Sequence, residues 1–182
     1  MIKPILLVED EENDVFFFKH AMQKEGLTNS LHIAVDGQQA IDYLQGAGKF
    51  ADREKFPLPC LVLLDLKLPF VMGLDVLKWI RQRPELSPVV IILSSSQQNA
   101  DISTAYRLGA NAYLVKAPDL GKLQELVRAI RDFWLTHNIP APSSEGDAVA
   151  ANLPLSYKNS INNIAYVSKS RPLHENHHVA AR

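Results

Sequence analysis

Residues 61–65 read Leu61-Val62-Leu63-Leu64-Asp65, four apolar side chains in a row ended by a carboxylate. The run is too short for a helix and does not alternate, which is the pattern of a strand buried on both faces in a parallel sheet. A carboxylate at the end of such a strand is not core filling. In an open α/β sheet, ligands bind outside the carboxyl ends of the strands, so Asp65 stands where chemistry is expected. Working outward, Leu66-Lys67-Leu68-Pro69 and then Gly73 turn the chain over the sheet edge before helix resumes. Towards the N-terminus, Ile5-Leu6-Leu7-Val8 is a second apolar strand, and it too ends in acid, at Glu9-Asp10. Two strand-end carboxylate sites in one small domain point to a divalent cation with an anionic group beside it.

Strand and helix signals alternate through residues 1–138, which predicts parallel strands joined by helical crossovers. Strands are expected at 4–8, 30–35, 60–65, 89–93 and 112–115, and helices near 13–25, 37–46, 73–83, 98–108 and 119–136. Gly26 and Gly109 are placed to end the first and fourth helices. The last helix carries Leu120, Leu123, Val127, Ile130 and Trp134 at helical spacing, a stripe for the sheet, with Leu126 and Phe133 off it. Residues 46–59 form an unusually long link into the third strand.

From Ile139 the composition shifts to Pro140, Pro142, Ser143, Ser144 and Gly146. We therefore expect a domain over 1–138 and, over 139–182, a linker and tail that is mostly disordered or loosely docked. His174, His177 and His178 in that tail lack the acidic or cysteine framework of a metal site and read as solvated.

Composition excludes several classes. The net charge is −1, with 15 Lys/Arg against 17 Asp/Glu in residues 1–138 and 4 against 3 beyond, so no basic stripe recommends nucleic acid. A single cysteine, Cys60, rules out an internal disulfide framework and fits a cytoplasmic setting. The first strand begins almost at once, without a signal peptide's charged and apolar regions, and no apolar run approaches a membrane span.

The strand ends bring forward Glu9-Asp10, Asp65, Ser94-Ser95 and Lys116, with Tyr113 inside the fifth strand. Asp10 and Asp65 supply hard oxygen ligands of the kind Mg²⁺ takes. Asp65 is then a nucleophile for a phosphoryl group whose oxygens the Ser94 hydroxyl and Lys116 ammonium would bind.

In these segments the sequence resembles a response-regulator receiver domain of two-component signalling. The matching stretches are Ile5–Asp10, Leu64–Pro69 with Gly73, Ile92–Ser96, and Gly109–Lys116. The resemblance implies a flavodoxin-like doubly wound α/β fold, five parallel strands in order 2-1-3-4-5 with five helices. It implies Asp65 as phosphoacceptor, Glu9 and Asp10 as the acidic pair around Mg²⁺ with the Lys67 carbonyl as a further ligand, Lys116 as the phosphate-binding lysine, and Ser94 and Tyr113 as the switch pair. The expected partner is a histidine kinase. The long link and the ending Ile130–Leu135 resemble the single-domain regulators paired with bacterial phytochromes. A phosphorylated Asp65 would draw in Ser94, free space for the Tyr113 ring and alter the surface around Arg107 and Phe133, with a homodimer as the favoured output.

Three positions depart from the family pattern: Ala117 separates Lys116 from Pro118, Met72 precedes Gly73 where acid is frequent, and Lys67 brings a cation two residues after Asp65. The competing enzyme reading is a Mg²⁺-dependent phosphatase on the same fold, but such enzymes carry a second Asp where Lys67 stands. A flavin-binding module is opposed by Glu9-Asp10-Glu11-Glu12, which repels phosphate.

Overall fold

The computed structural model describes residues 4–139; the expected tail and its three histidines lie outside them. Within them, five strands alternate with five helices: β1 (Ile5–Val8), α1 (Glu12–Lys24), β2 (Leu31–Ala34), α2 (Gly37–Gln45), β3 (Leu61–Leu64), α3 (Gly73–Arg81), β4 (Val89–Ser94), α4 (Asn99–Arg107), β5 (Ala112–Val115) and α5 (Leu120–Ile130). All strand pairs are parallel and the order is β2-β1-β3-β4-β5, as the resemblance implied.

The apolar strands fill two cores because successive side chains point to opposite faces. Leu6, Val8, Val62, Leu64, Val90 and Ile92 meet Ala40, Tyr43 and Leu44 of α2, Val76, Leu77 and Ile80 of α3, and Ala105 of α4. Ile5, Leu7, Leu61, Leu63, Ile91 and Leu93 meet Phe18, Ala21 and Met22 of α1 and Val127 and Ile130 of α5. Each large side chain so buried stabilises the fold by about 1.5–3 kcal/mol relative to an exposed one. β1, β3 and β4 are buried throughout, so their ends are held rigidly, while β2 and β5 are the half-exposed edges.

Several boundaries and contacts differ from the sequence expectation. The α-helical part of the last helix stops at Ile130, and Arg131–His137 continues as a π-helical turn, closed by Asn138 N–H donating to the Phe133 carbonyl at 2.7 Å. Leu126 packs on the core after all and Leu120 is exposed, while Phe133, placed off the stripe, is exposed as expected. The third helix ends at Arg81, ahead of Pro84. Gly26 and Gly109 do terminate their helices, at φ of 69° and 94°.

The long link 46–59 is folded. It contains a 3₁₀ turn at Gly48–Phe50, and Phe50 and Phe56 stack edge-on with each other and against Tyr43, the Phe50–Phe56 centroids being 5.2 Å apart. Arg53 donates to the Tyr43 and Leu44 carbonyls at 2.7 and 2.6 Å, satisfying the open end of α2.

The β3–α3 segment is tight instead. A Cβ on Gly73 would sit 1.9 Å from the Asp65 carbonyl oxygen, so only glycine lets α3 start this close to the strand end. Between them Phe70 has φ of 61°, with Val71 N–H donating to the Pro69 carbonyl at 2.7 Å: a three-residue γ-turn with positive φ at a bulky, exposed residue.

Candidate functional site

The ends of β1, β3 and β5 converge on one ammonium. Lys116, just beyond β5, places Nζ 2.7 Å from Glu9 Oε2, 3.0 Å from Asp65 Oδ2 and 2.8 Å from Asp14 Oδ2. The Lys116 N–H donates to the Ser94 carbonyl at 3.0 Å, so its backbone is set by the end of β4. Asp65 is buried, and its other oxygen accepts from the amides of Leu66 at 2.6 Å and Lys67 at 3.4 Å. Its carboxylate is therefore oriented from both sides. The Lys67 side chain is exposed, and no hydrogen bond or ion pair among the described residues joins it to the cluster.

Glu9, Asp10 and Asp65 each offer an oxygen within 4.8 Å of the others. Among the described residues this is a donor set that fits a hard divalent cation. Electrostatics point the same way. Burial pushes the Glu9 carboxyl up to about 7, with Asp65 and Asp14 adding repulsion and Lys116 opposing it. Burial works against the Lys116 charge, but the hydrogen bonds to Asp14, Glu9 and Asp65 outweigh it and raise its pKa. A cation among these oxygens would relieve the crowding that one lysine balances only in part.

Ser94 ends β4 and Tyr113 lies within β5. Ser94 is fully buried as the last residue of β4, one residue longer than expected, and the Ser96 N–H reaches its Oγ at 3.5 Å. The Tyr113 hydroxyl donates to the Ser96 carbonyl at 3.0 Å, and its ring packs against the core. Ser94 and Tyr113 thus both hold the segment that leads into α4. Burial raises the Tyr113 phenol, the Ser96 hydrogen bond opposing it. No peptide bond among the described residues is cis, so Lys116 reaches the site through a trans bond to Ala117.

Asp14 was the residue the sequence concealed. In Glu11-Glu12-Asn13-Asp14 it reads as one more acid favouring a helix N-terminus. Its place in the first turn of α1 brings it back over the strand end to Lys116, a contact through space that no local spacing encodes.

A doubly wound sheet with an aspartate, an acidic pair and a lysine at the ends of β3, β1 and β5 defines a phosphoacceptor receiver domain of two-component signalling. The chain belongs to that family: the response regulator receiver domain pattern matches residues 5–128. It is 38% identical over 141 residues to the response regulator Rcp1 of Synechocystis sp., covering 76% of this chain and 94% of that protein. The solved Mn(2+)-bound form of Rcp1 superposes with a TM-score of 0.69 at 35% identity, over 77% of this chain and 99% of that one. The phosphorylated cyanobacterial phytochrome response regulator RcpA gives 0.72 at 33% identity, over 78% and 100%. The phosphatase alternative is not favoured by this membership. No helix among the described residues is long and apolar enough to cross a membrane.

Proposed function

We propose that Asp65 takes a phosphoryl group from a histidine kinase of the phytochrome type in the cytoplasm, and that the result is read through protein–protein contacts. The observation that carries this is the Lys116 ammonium 3.0 Å from Asp65, beside three carboxylates whose oxygens lie within 4.8 Å of one another. Asp10 and Asp65 would hold Mg²⁺, with Glu9 beside them and the Lys67 carbonyl as a further ligand. When bound, the cation supplies positive charge for the transferring phosphoryl oxygens and for the Asp65 carboxylate.

The chain's own groups do the rest. The Leu66 and Lys67 amides orient one Asp65 oxygen. Lys116 shifts from Asp65 to a phosphoryl oxygen as charge arrives there, and the Ser94 hydroxyl turns to bind another. Ser94 and Tyr113 both hold Ser96, so pulling on Ser94 alters the entry to α4. Exposed Tyr106, Val115 and Phe133 lie on α4, β5 and beyond α5, and a second copy of this chain is the favoured partner for that surface. The tail beyond about 139 is expected to be dispensable for these steps.

Incubation with acetyl phosphate and Mg²⁺ tests the reading. Intact mass should rise by one phosphoryl group in the wild type and stay unchanged in Asp65→Asn; equal labelling of both overturns it.

A further inference from the structure

Lys116 has a third carboxylate partner that neither the cation site nor the nucleophile requires. Asp14 sits in the first turn of α1, half-buried, with Oδ2 2.8 Å from the ammonium, between Glu9 at 2.7 Å and Asp65 at 3.0 Å. It lines a cavity of about 350 Å³ with Glu9, Phe17, Lys116, Ala117, Pro118 and Leu123, beside the site. Phe17 on the next turn is exposed, and the Asp14 side chain is 44% accessible, so its charge faces the solvent side of the cluster.

We propose that Asp14 is a positioning and donor-selecting residue: it shares the Lys116 ammonium with Asp65 and biases the site against dianionic phosphodonors in favour of donors that carry positive charge on the leaving atom. This rests on the reading of Asp65 as phosphoacceptor. Two physical effects act together. An incoming phosphoryl group must draw the ammonium away from Asp14 before it can use it. The Asp14 charge also repels a donor in proportion to the donor's net charge.

The two small donors differ in that charge. Acetyl phosphate arrives as a dianion; an Asp65 oxygen forms a bond to phosphorus, the phosphorus–oxygen bond to acetate breaks, and acetate leaves with the electron pair. Phosphoramidate arrives as a zwitterion of net charge −1; the same bond forms, the phosphorus–nitrogen bond breaks, and nitrogen leaves as ammonia with the protons it already carries. A nitrogen donor of this kind is the chemical class to which a phosphohistidine belongs.

The test compares labelling rates with acetyl phosphate and phosphoramidate, at fixed Mg²⁺, for wild type, Asp14→Asn and Asp14→Glu. Neutralising Asp14 should accelerate labelling by acetyl phosphate about fivefold and by phosphoramidate less than about twofold at low ionic strength. The excess for acetyl phosphate should fade in about 0.5 M salt, where exposed charges are screened. Asp14→Glu, which keeps the charge, should retain the wild-type preference. A purely structural role would change both donors alike and would not respond to salt. An unchanged donor ratio in Asp14→Asn, with the wild type labelled normally, overturns the role of Asp14 alone. A wild type labelled by neither donor overturns the phosphoacceptor reading and this inference with it.

Discussion

Two segments flank β3, and they divide the labour of the domain. The long link ahead of it, residues 46–59, is an aromatic plug: Phe50 and Phe56 stack on Tyr43, and Arg53 closes the end of α2. The short segment behind it runs from Asp65 to Gly73 with an oriented carboxylate, a positive-φ phenylalanine and a glycine pressed against the strand end. One side is packing without chemistry and the other is chemistry held under backbone strain. Length is therefore a poor guide to function here: the longer segment packs and the shorter one carries the candidate phosphoacceptor.

Four substitutions or conditions would break or sharpen that division. The largest effect is expected from the link. Phe50→Ala removes a buried ring and should destabilise the protein by about 3 kcal/mol, read as a lower Tm, while the rate of phosphorylation below that Tm stays near wild type. Loss of labelling in the folded variant would show that the link reaches the site.

Gly73→Ala should do the opposite. Its Cβ meets backbone 1.9 Å away, so the loop must move. A cost of about 2 kcal/mol is expected in denaturant melts, with labelling at Asp65 largely lost even where the chain is folded.

Next comes the charge crowding at the ends of β1 and β3. The Glu9 carboxyl is raised from 4.5 to about 7, so the folded state holds that proton more tightly than the unfolded chain does. Stability should fall as pH rises through that window, by on the order of 2 kcal/mol. Glu9→Gln should flatten the profile, and Mg²⁺ should raise Tm more at about pH 8 than at about pH 5. A wild-type Tm flat across the window would contradict the charge crowding inferred around Glu9.

The smallest effect is a gain. Phe70 is 90% exposed and has φ of 61°, so its ring contributes little packing to offset the turn. Phe70→Gly should stabilise by about 0.5–1 kcal/mol. Destabilisation instead would mean that the ring makes contacts its exposure conceals.

The strand-end carboxylates and the lysine were legible because short apolar runs such as Ile5–Val8 and Leu61–Leu64 suit buried strands, and although each charge alone could cap a turn or face solvent, their recurrence at several strand ends could not be explained that way. The π-helical turn at Arg131–His137 was not legible: apolar spacing at Ile130 and Trp134 is served equally by an α-helix, and the rephasing depends on tertiary contacts. Phe70 gave no warning, since left-handed backbone is expected at glycine or asparagine and not at a bulky aromatic. The plug of the long link joins Tyr43 to Phe50 and Phe56 through space, which no local pattern encodes. Asp14 was camouflaged by the acids around it.

The central claim is that Asp65, and not one of the acids crowded about Lys116, receives the phosphoryl group. Trypsin separates the candidates: the peptide 56–67 contains Asp65 as its one acidic residue, whereas Glu9, Asp10 and Asp14 all fall in the N-terminal peptide ending at Lys19. After labelling with acetyl phosphate and Mg²⁺, the phosphoryl mass should appear on peptide 56–67. Its appearance on the N-terminal peptide, with 56–67 unmodified, would contradict the assignment.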